Sequence, residues 1–148
     1  MKKTLFTLVV VFIATFSLSG ACTDDTEDLI IGKWQETEAT IQETIDGEVL
    51  APESLLEPGD VSIMTFKKDH TFTSSLTSEG IETSSSGTWS IEDNKITMID
   101  NNDYFDFGPQ TFNIDEIDEN HLVLSSTESG TEDGMSITVT YRIKMEKL

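Results

Sequence analysis

Nucleophilic and metal chemistry need side chains that this chain holds in short supply. It has two histidines, His70 and His121, and one cysteine, Cys22, against 28 aspartates and glutamates. Both histidines fall in short polar stretches, without a His or Cys partner at zinc-ligand spacing. Serines are plentiful, but no Gly-x-Ser-x-Gly elbow occurs. Carboxylate pairs suited to acid–base work abound, and in so acidic a chain they arise by chance. The densest oxygen cluster, residues 100–106, departs from the Asp-x-Asx-x-Asx-Gly calcium loop and reads as a solvated acidic loop. Its neighbourhood carries Tyr104, Phe105 and Phe107, which either pack on a rim or form a contact surface, with Phe107 the most buried. No catalytic residue, metal or cofactor is expected, and the chain does not read as an enzyme.

Cys22 has a different chemistry. Lys2 and Lys3 precede a 14-residue, largely apolar run, residues 5–18, too short to span a bilayer. Ser19, Gly20 and Ala21 then supply the small residues a signal peptidase requires. Residues 1–21 are therefore expected to be a cleaved leader. A lone cysteine directly after the cleavage site resembles the lipobox of bacterial lipoproteins, with Ser19 where an aliphatic residue is usual and Leu18 one place earlier. This implies lipidation of Cys22, hence a membrane partner through a lipid anchor. Residues 22–28, rich in Asp and Glu, are expected to be a solvated acidic tether. Acidic residues after such a cysteine resemble the surface-export signal of some Gram-negative lipoproteins, which implies a surface-exposed outer-membrane protein. Losing Lys2 and Lys3 with the leader leaves seven basic residues against 28 acidic ones, a net charge of −21. That balance argues against nucleic acid and favours cationic over anionic ligands.

From residue 29 onward the hydrophobic pattern has period two, the mark of half-buried strands. Eight strands are expected in a domain spanning 29–148. The first contains residues 29–34, and the last alternates Met135, Ile137, Val139, Tyr141, Ile143 and Met145 with polar residues. Residues 67–70, 92–95 and 118–121 read as tight turns, the last two as type I turns with Asn in the left-handed region. Residues 45–60, 78–80, 101–110 and 127–134 read as loops, with a helical turn after Pro52. In a meander, turns and loops then fall on opposite ends. Both termini lie at the tight-turn end, so the loop end points away from the anchor.

Eight strands enclose space for side chains or one small ligand. Parity places Trp34, Phe66, Phe72, Trp89, Ile96, Leu122, Tyr141 and Ile143 inside near the closed end, with Trp34, Trp89 and Tyr141 as the structural base. Toward the loops the inward set is Ser74, Leu76, Thr83, Ser85, Met98, Met135 and Ile137. Strict alternation from Trp34 also turns Glu36 and Glu38 inward. Either a bulge flips these carboxylates out or they line a wet cavity.

Gly32-Lys33-Trp34 on the first strand resembles the Gly-x-Trp of lipocalins. The hairpin 66–72, the Gly87-Thr88-Trp89 strand and the closing Tyr141-Arg142-Ile143-Lys144 resemble the lipocalin-like domain of small bacterial lipoproteins. The resemblance implies an all-β, eight-stranded up-and-down antiparallel barrel and a small-molecule site inside. Lipocalins stack a late basic residue on the Trp, whereas alternation points Arg142 outward. The implied function is a monomeric, lipid-anchored envelope barrel that binds a small apolar or cationic molecule at its loop end. The alternative is an interaction module with a filled barrel that contacts another envelope protein or peptide. A connected interior volume of roughly 300 Å³ or more would favour the first.

Overall fold

The computed structural model describes residues 23–101 and 108–148. The leader, Cys22 and the aromatics Tyr104, Phe105 and Phe107 lie outside the described residues. Among the described residues one helix, α1 (Thr23–Ile30), precedes ten strands. These are β1 (Gly32–Ile45), β2 (Glu48–Val49), β3 (Glu53–Ser54), β4 (Val61–Phe66), β5 (Thr71–Ser78), β6 (Ile81–Glu92), β7 (Lys95–Asp100), β8 (Gln110–Ile117), β9 (His121–Glu132) and β10 (Met135–Lys147). Eight pair in sequence order, β1 with β4 and then each with its successor, all antiparallel. β10 returns to β1, from Trp34↔Lys147 to Ile45↔Ile137, and closes the barrel. Closure leaves the eight-stranded sheet without free lateral edges over the paired rows.

The tight-turn end holds the core. Trp34, Phe66, Phe72, Trp89, Ile96 and Leu122 are buried there, joined by Met64, Ile114, Leu124 and Met145. Phe66 meets Trp89 edge-on, with ring centroids 5.8 Å apart. The Trp89 indole N–H donates to the Lys67 and Thr71 carbonyls, and the His70 ring stacks on Trp89 at 4.9 Å. His70 reaches that position with φ of 60°, a conformation that His adopts more readily than β-branched residues.

The expected tether and the expected start of the first strand are both corrected. Residues 23–30 form α1, and the strand begins at Gly32. Ile30 is fully buried in the floor of the barrel. The carbonyls at the end of α1 are met from the barrel: Trp34 Nε1 donates to Ile30 O at 2.7 Å and Lys147 Nζ to Leu29 O at 2.8 Å. These bonds satisfy acceptors that a helix C-terminus leaves open, and the lysine cation complements the helix dipole. Glu27 adds an ion pair to His70 at 3.2 Å when the imidazole is protonated.

Lys147 also lies over the Trp34 ring, 4.9 Å from its centroid. It stands where the resemblance implied a late basic residue, one that Arg142 cannot supply from the outer face. Gly32 makes room for it. Its φ of 146° disfavours other residues, and a Cβ there would press on the Lys147 stem.

Several connections differ from expectation. Residues 127–134 are a long hairpin, because Asp133-Gly134 takes positive φ at both positions and forms a two-residue turn. Glu79-Gly80 and Asp46-Gly47 do the same. No helical turn follows Pro52. Instead β2 and β3 fold back on β1, at Thr44 and Ile45 and at Thr40 and Ile41, along the edge that β4 covers only as far as Gln35. The two similar turn sequences also diverge. Asp93 and Asn94 both have positive φ, whereas Asp118 accepts from the Asn120 and His121 amides at 2.7 Å. The Asn120 amide first, then the His121 side chain and the His121 amide, hold the Asp118 carboxyl below its ordinary range.

Candidate functional site

A β-bulge decides the fate of the two interior glutamates. The β1–β10 register shifts between Glu36, opposite Met145, and Glu38, opposite Lys144. Thr37 is the extra residue, and its hydroxyl donates to Lys144 O at 3.3 Å. One extra residue inverts the alternation downstream. Glu36 stays inside, Glu38 turns out and pairs with Lys144 at 2.7 Å, and Ala39 and Ile41 become the inward residues. Both alternatives are thus realised, one per residue. The exposed Glu38–Lys144 pair contributes at most about 1 kcal/mol.

Above the aromatic floor the barrel opens into a chamber of about 640 Å³. Ala39, Leu76, Phe112, Tyr141 and Ile143 form much of its wall. Leu55 and Leu56, carried by the segment after β3, lie along its rim, where Leu55 N is bonded to Ala39 O at 2.8 Å. Polar groups are interspersed with these: Glu36 and Ser62 deep, Gln110, Thr111 and Ser126 on the wall, Glu128 toward the mouth. A side chamber of about 180 Å³ lies against Met64, Phe72, Ser74, Ser85, Met98 and Gln110. A larger groove of about 860 Å³ crosses the outside of β4–β6, but it is open and lined mainly by hydroxyls. A partly enclosed chamber with both apolar and polar lining suits a small molecule better than an open, hydroxyl-lined groove.

The structure brings together part of the expected inward set. Glu36 and Leu76 face the main chamber, and Ser74, Ser85 and Met98 the side chamber. Ile137 is half-buried higher on β10. Thr83 and Met135 do not reach the interior: Thr83 is exposed and Met135 is 42% exposed. The reason is that β8 joins β9 only as far as Ser125 and β7 joins β6 only from Gly87, so both hairpins run beyond the closed part of the barrel. Tyr141 is chamber wall, not base, because it pairs with Ile41 and Ser126, well above the Trp34 row. Ser62, Phe112 and Glu128 are chamber residues that parity could have supplied, since each continues an alternation already anchored by a buried neighbour.

Glu36 is the most perturbed group in the chamber. Burial raises its carboxyl above the ordinary 4.5, and a hydrogen bond from the Ser62 hydroxyl only partly offsets this. The folded chain therefore holds this proton more tightly than the unfolded chain does. Stability contributed here is present at low pH and lost as pH rises through the raised pKa. Glu36→Gln is expected to remove that loss, stabilising the protein by on the order of 1 kcal/mol at pH 7. The gain should vanish near pH 4, as thermal melts at the two pH values would read. Among the described residues no three His, Cys, Asp or Glu side chains converge as a metal site.

A family model described as a lipocalin-like domain matches residues 30–124. Among solved structures, the chain is similar to a lipocalin-like protein from Bacteroides uniformis, with 18% identity and a TM-score of 0.50 over 80% of this chain and 98% of that one. It is also similar to an uncharacterized protein from Bacteroides eggerthii, with 17% identity and a TM-score of 0.50 over 80% of this chain and 99% of that one. At these identities the structural likeness shows the fold alone. No curated protein matches.

Proposed function

Since the chain belongs to the lipocalin-like domain family, we propose that it is a lipid-anchored cell-envelope protein whose barrel binds a small apolar or cationic molecule through its loop end. The chamber is the observation that carries this reading. Its volume of about 640 Å³ falls within the range of small-molecule sites, and its wall combines apolar side chains with polar ones, among them Glu36, Ser62 and Glu128. A side-chain-filled interaction module would lack that space. Binding needs no nucleophile or general base, and the role assigned here is non-enzymatic.

Native mass spectrometry of the purified protein tests the binding role. A co-purified adduct is expected, and Leu76→Trp, which narrows the chamber, should lower its occupancy. An adduct whose occupancy is unchanged by Leu76→Trp would mean that the chamber is not the site.

The lipobox-like sequence and the acidic run after it support anchorage at Cys22 and an outer-membrane, surface-exposed location. Cys22 immediately precedes α1, a helix about 12 Å long that is bonded to the closed end of the barrel. Anchorage there would hold the closed end near the lipid and turn the mouth away. Acyl chains contribute about 0.8 kcal/mol per buried CH₂, enough for durable attachment. Cys22→Ser is expected to move the protein from the membrane pellet to the soluble fraction. Continued sedimentation with membranes would refute the anchor.

A further inference from the structure

The main chamber contains two carboxylates, Glu36 and Glu128, and none of the described residues that line it is Lys, Arg or His. The chain's nearby cations are engaged elsewhere. Lys144 is on the outer face with Glu38, Lys147 lies over the Trp34 ring at the carbonyl end of α1, and Arg142 is exposed. Glu36 lies in the row of Met145 and Leu122, just above the floor, whereas Glu128 lies opposite Val139, six residues along β10 toward the mouth. Between these levels the wall is Leu76, Phe112, Tyr141 and Ile143.

We propose that the ligand is an organic ammonium with an apolar body, its charged head seated on the Glu36 carboxylate beside the Ser62 hydroxyl and its body along the apolar wall. This rests on the binding role proposed above and names its ligand class. A carboxylate offers about four acceptor sites, more than one hydroxyl fills. An ammonium brings three donors or a compact positive charge to that unfilled capacity, in a setting where water competes poorly. Burial makes the charged form of Glu36 costlier than it is in water. A bound cation offsets that cost, so the head group and the carboxylate stabilise each other's charge. Glu128 at the entrance and the chain's formal net charge of −19 draw cations toward the mouth.

Calorimetric titration of the full chain carrying Cys22→Ser, with decylammonium, decanol and decanoate as matched probes, separates the possibilities. The expected order at pH 7 is decylammonium about tenfold tighter than decanol, with decanoate weakest. Glu36→Gln should erase the ammonium preference while leaving decanol affinity within about twofold. Glu128→Gln should keep most of it. Equal affinity of the unsubstituted chamber for decylammonium and decanol would overturn the ammonium assignment and leave the binding role standing. Preference that survives Glu36→Gln would overturn Glu36 as its seat. If none of the three probes binds, the binding role itself fails.

Discussion

Trp34→Ala is expected to destabilise the barrel by about 3–5 kcal/mol, the range for truncating a buried Trp. Trp34 is fully buried at the centre of the floor, so the vacated volume cannot be filled from solvent. Two further losses follow from the same ring. Ile30 O loses its indole donor, and with it α1 loses a bond to the barrel floor, and Lys147 loses the ring face it lies over. Denaturant unfolding should show the fall in midpoint. Hydrogen exchange should show early release of the α1 amides, before the barrel strands. Trp34→Phe keeps most of the apolar volume and should cost roughly half as much, chiefly through the missing N–H. A loss below about 2 kcal/mol for Trp34→Ala would mean that the floor is not the keystone of the core.

Gly87→Ala should cost about 3 kcal/mol or more, above the usual range for an added methyl group because the obstacle is main chain. The φ of Gly87 is not the issue. A Cβ there would collide with the Ile99 carbonyl on β7 and would stand 2.7 Å from Phe72 Cε1. Phe72 could tilt, but the carbonyl belongs to the backbone of the paired strand and cannot turn aside. Gly87 is the first residue of β6 that pairs with β7, opposite Asp100, so separation would start at the lip of the side chamber. The expected result is a lower melting temperature, with chemical-shift changes concentrated at Ser85, Met98 and Gln110. A melting temperature unchanged from that of the parent protein would show that β6 and β7 are not this close.

The Gly-x-Trp stretch shows how far local pattern reaches. Gly32 and Trp34 are marked by type and spacing, and the burial of Trp34 follows from its place in an alternating run. The partner of Trp34 could not be read in that way. Lys147 is 113 positions away in the chain, and only closure of β10 on β1 brings its ammonium to the ring and to α1. The helix has no local signature, because residues 23–28 lack an apolar stripe. Its ordering depends on Ile30 and on carbonyl partners supplied by the barrel.

The chamber divides along the same line. Inward positions such as Leu76, Ser74, Ser85 and Met98 were legible because successive side chains of a strand alternate between faces, a local property of extended backbone. Strand number, the sequence-neighbour order of the meander, and the end that carries the aromatic floor follow from the same period and from the turn residues. Tertiary structure alone decided the separation of Glu36 from Glu38, the volume above the floor and the exposure of Thr83 and Met135. Each depends on register between strands distant in sequence. A single extra residue at Thr37 reverses every face beyond it, and hairpin length beyond the closed rows sets what is wall and what is rim.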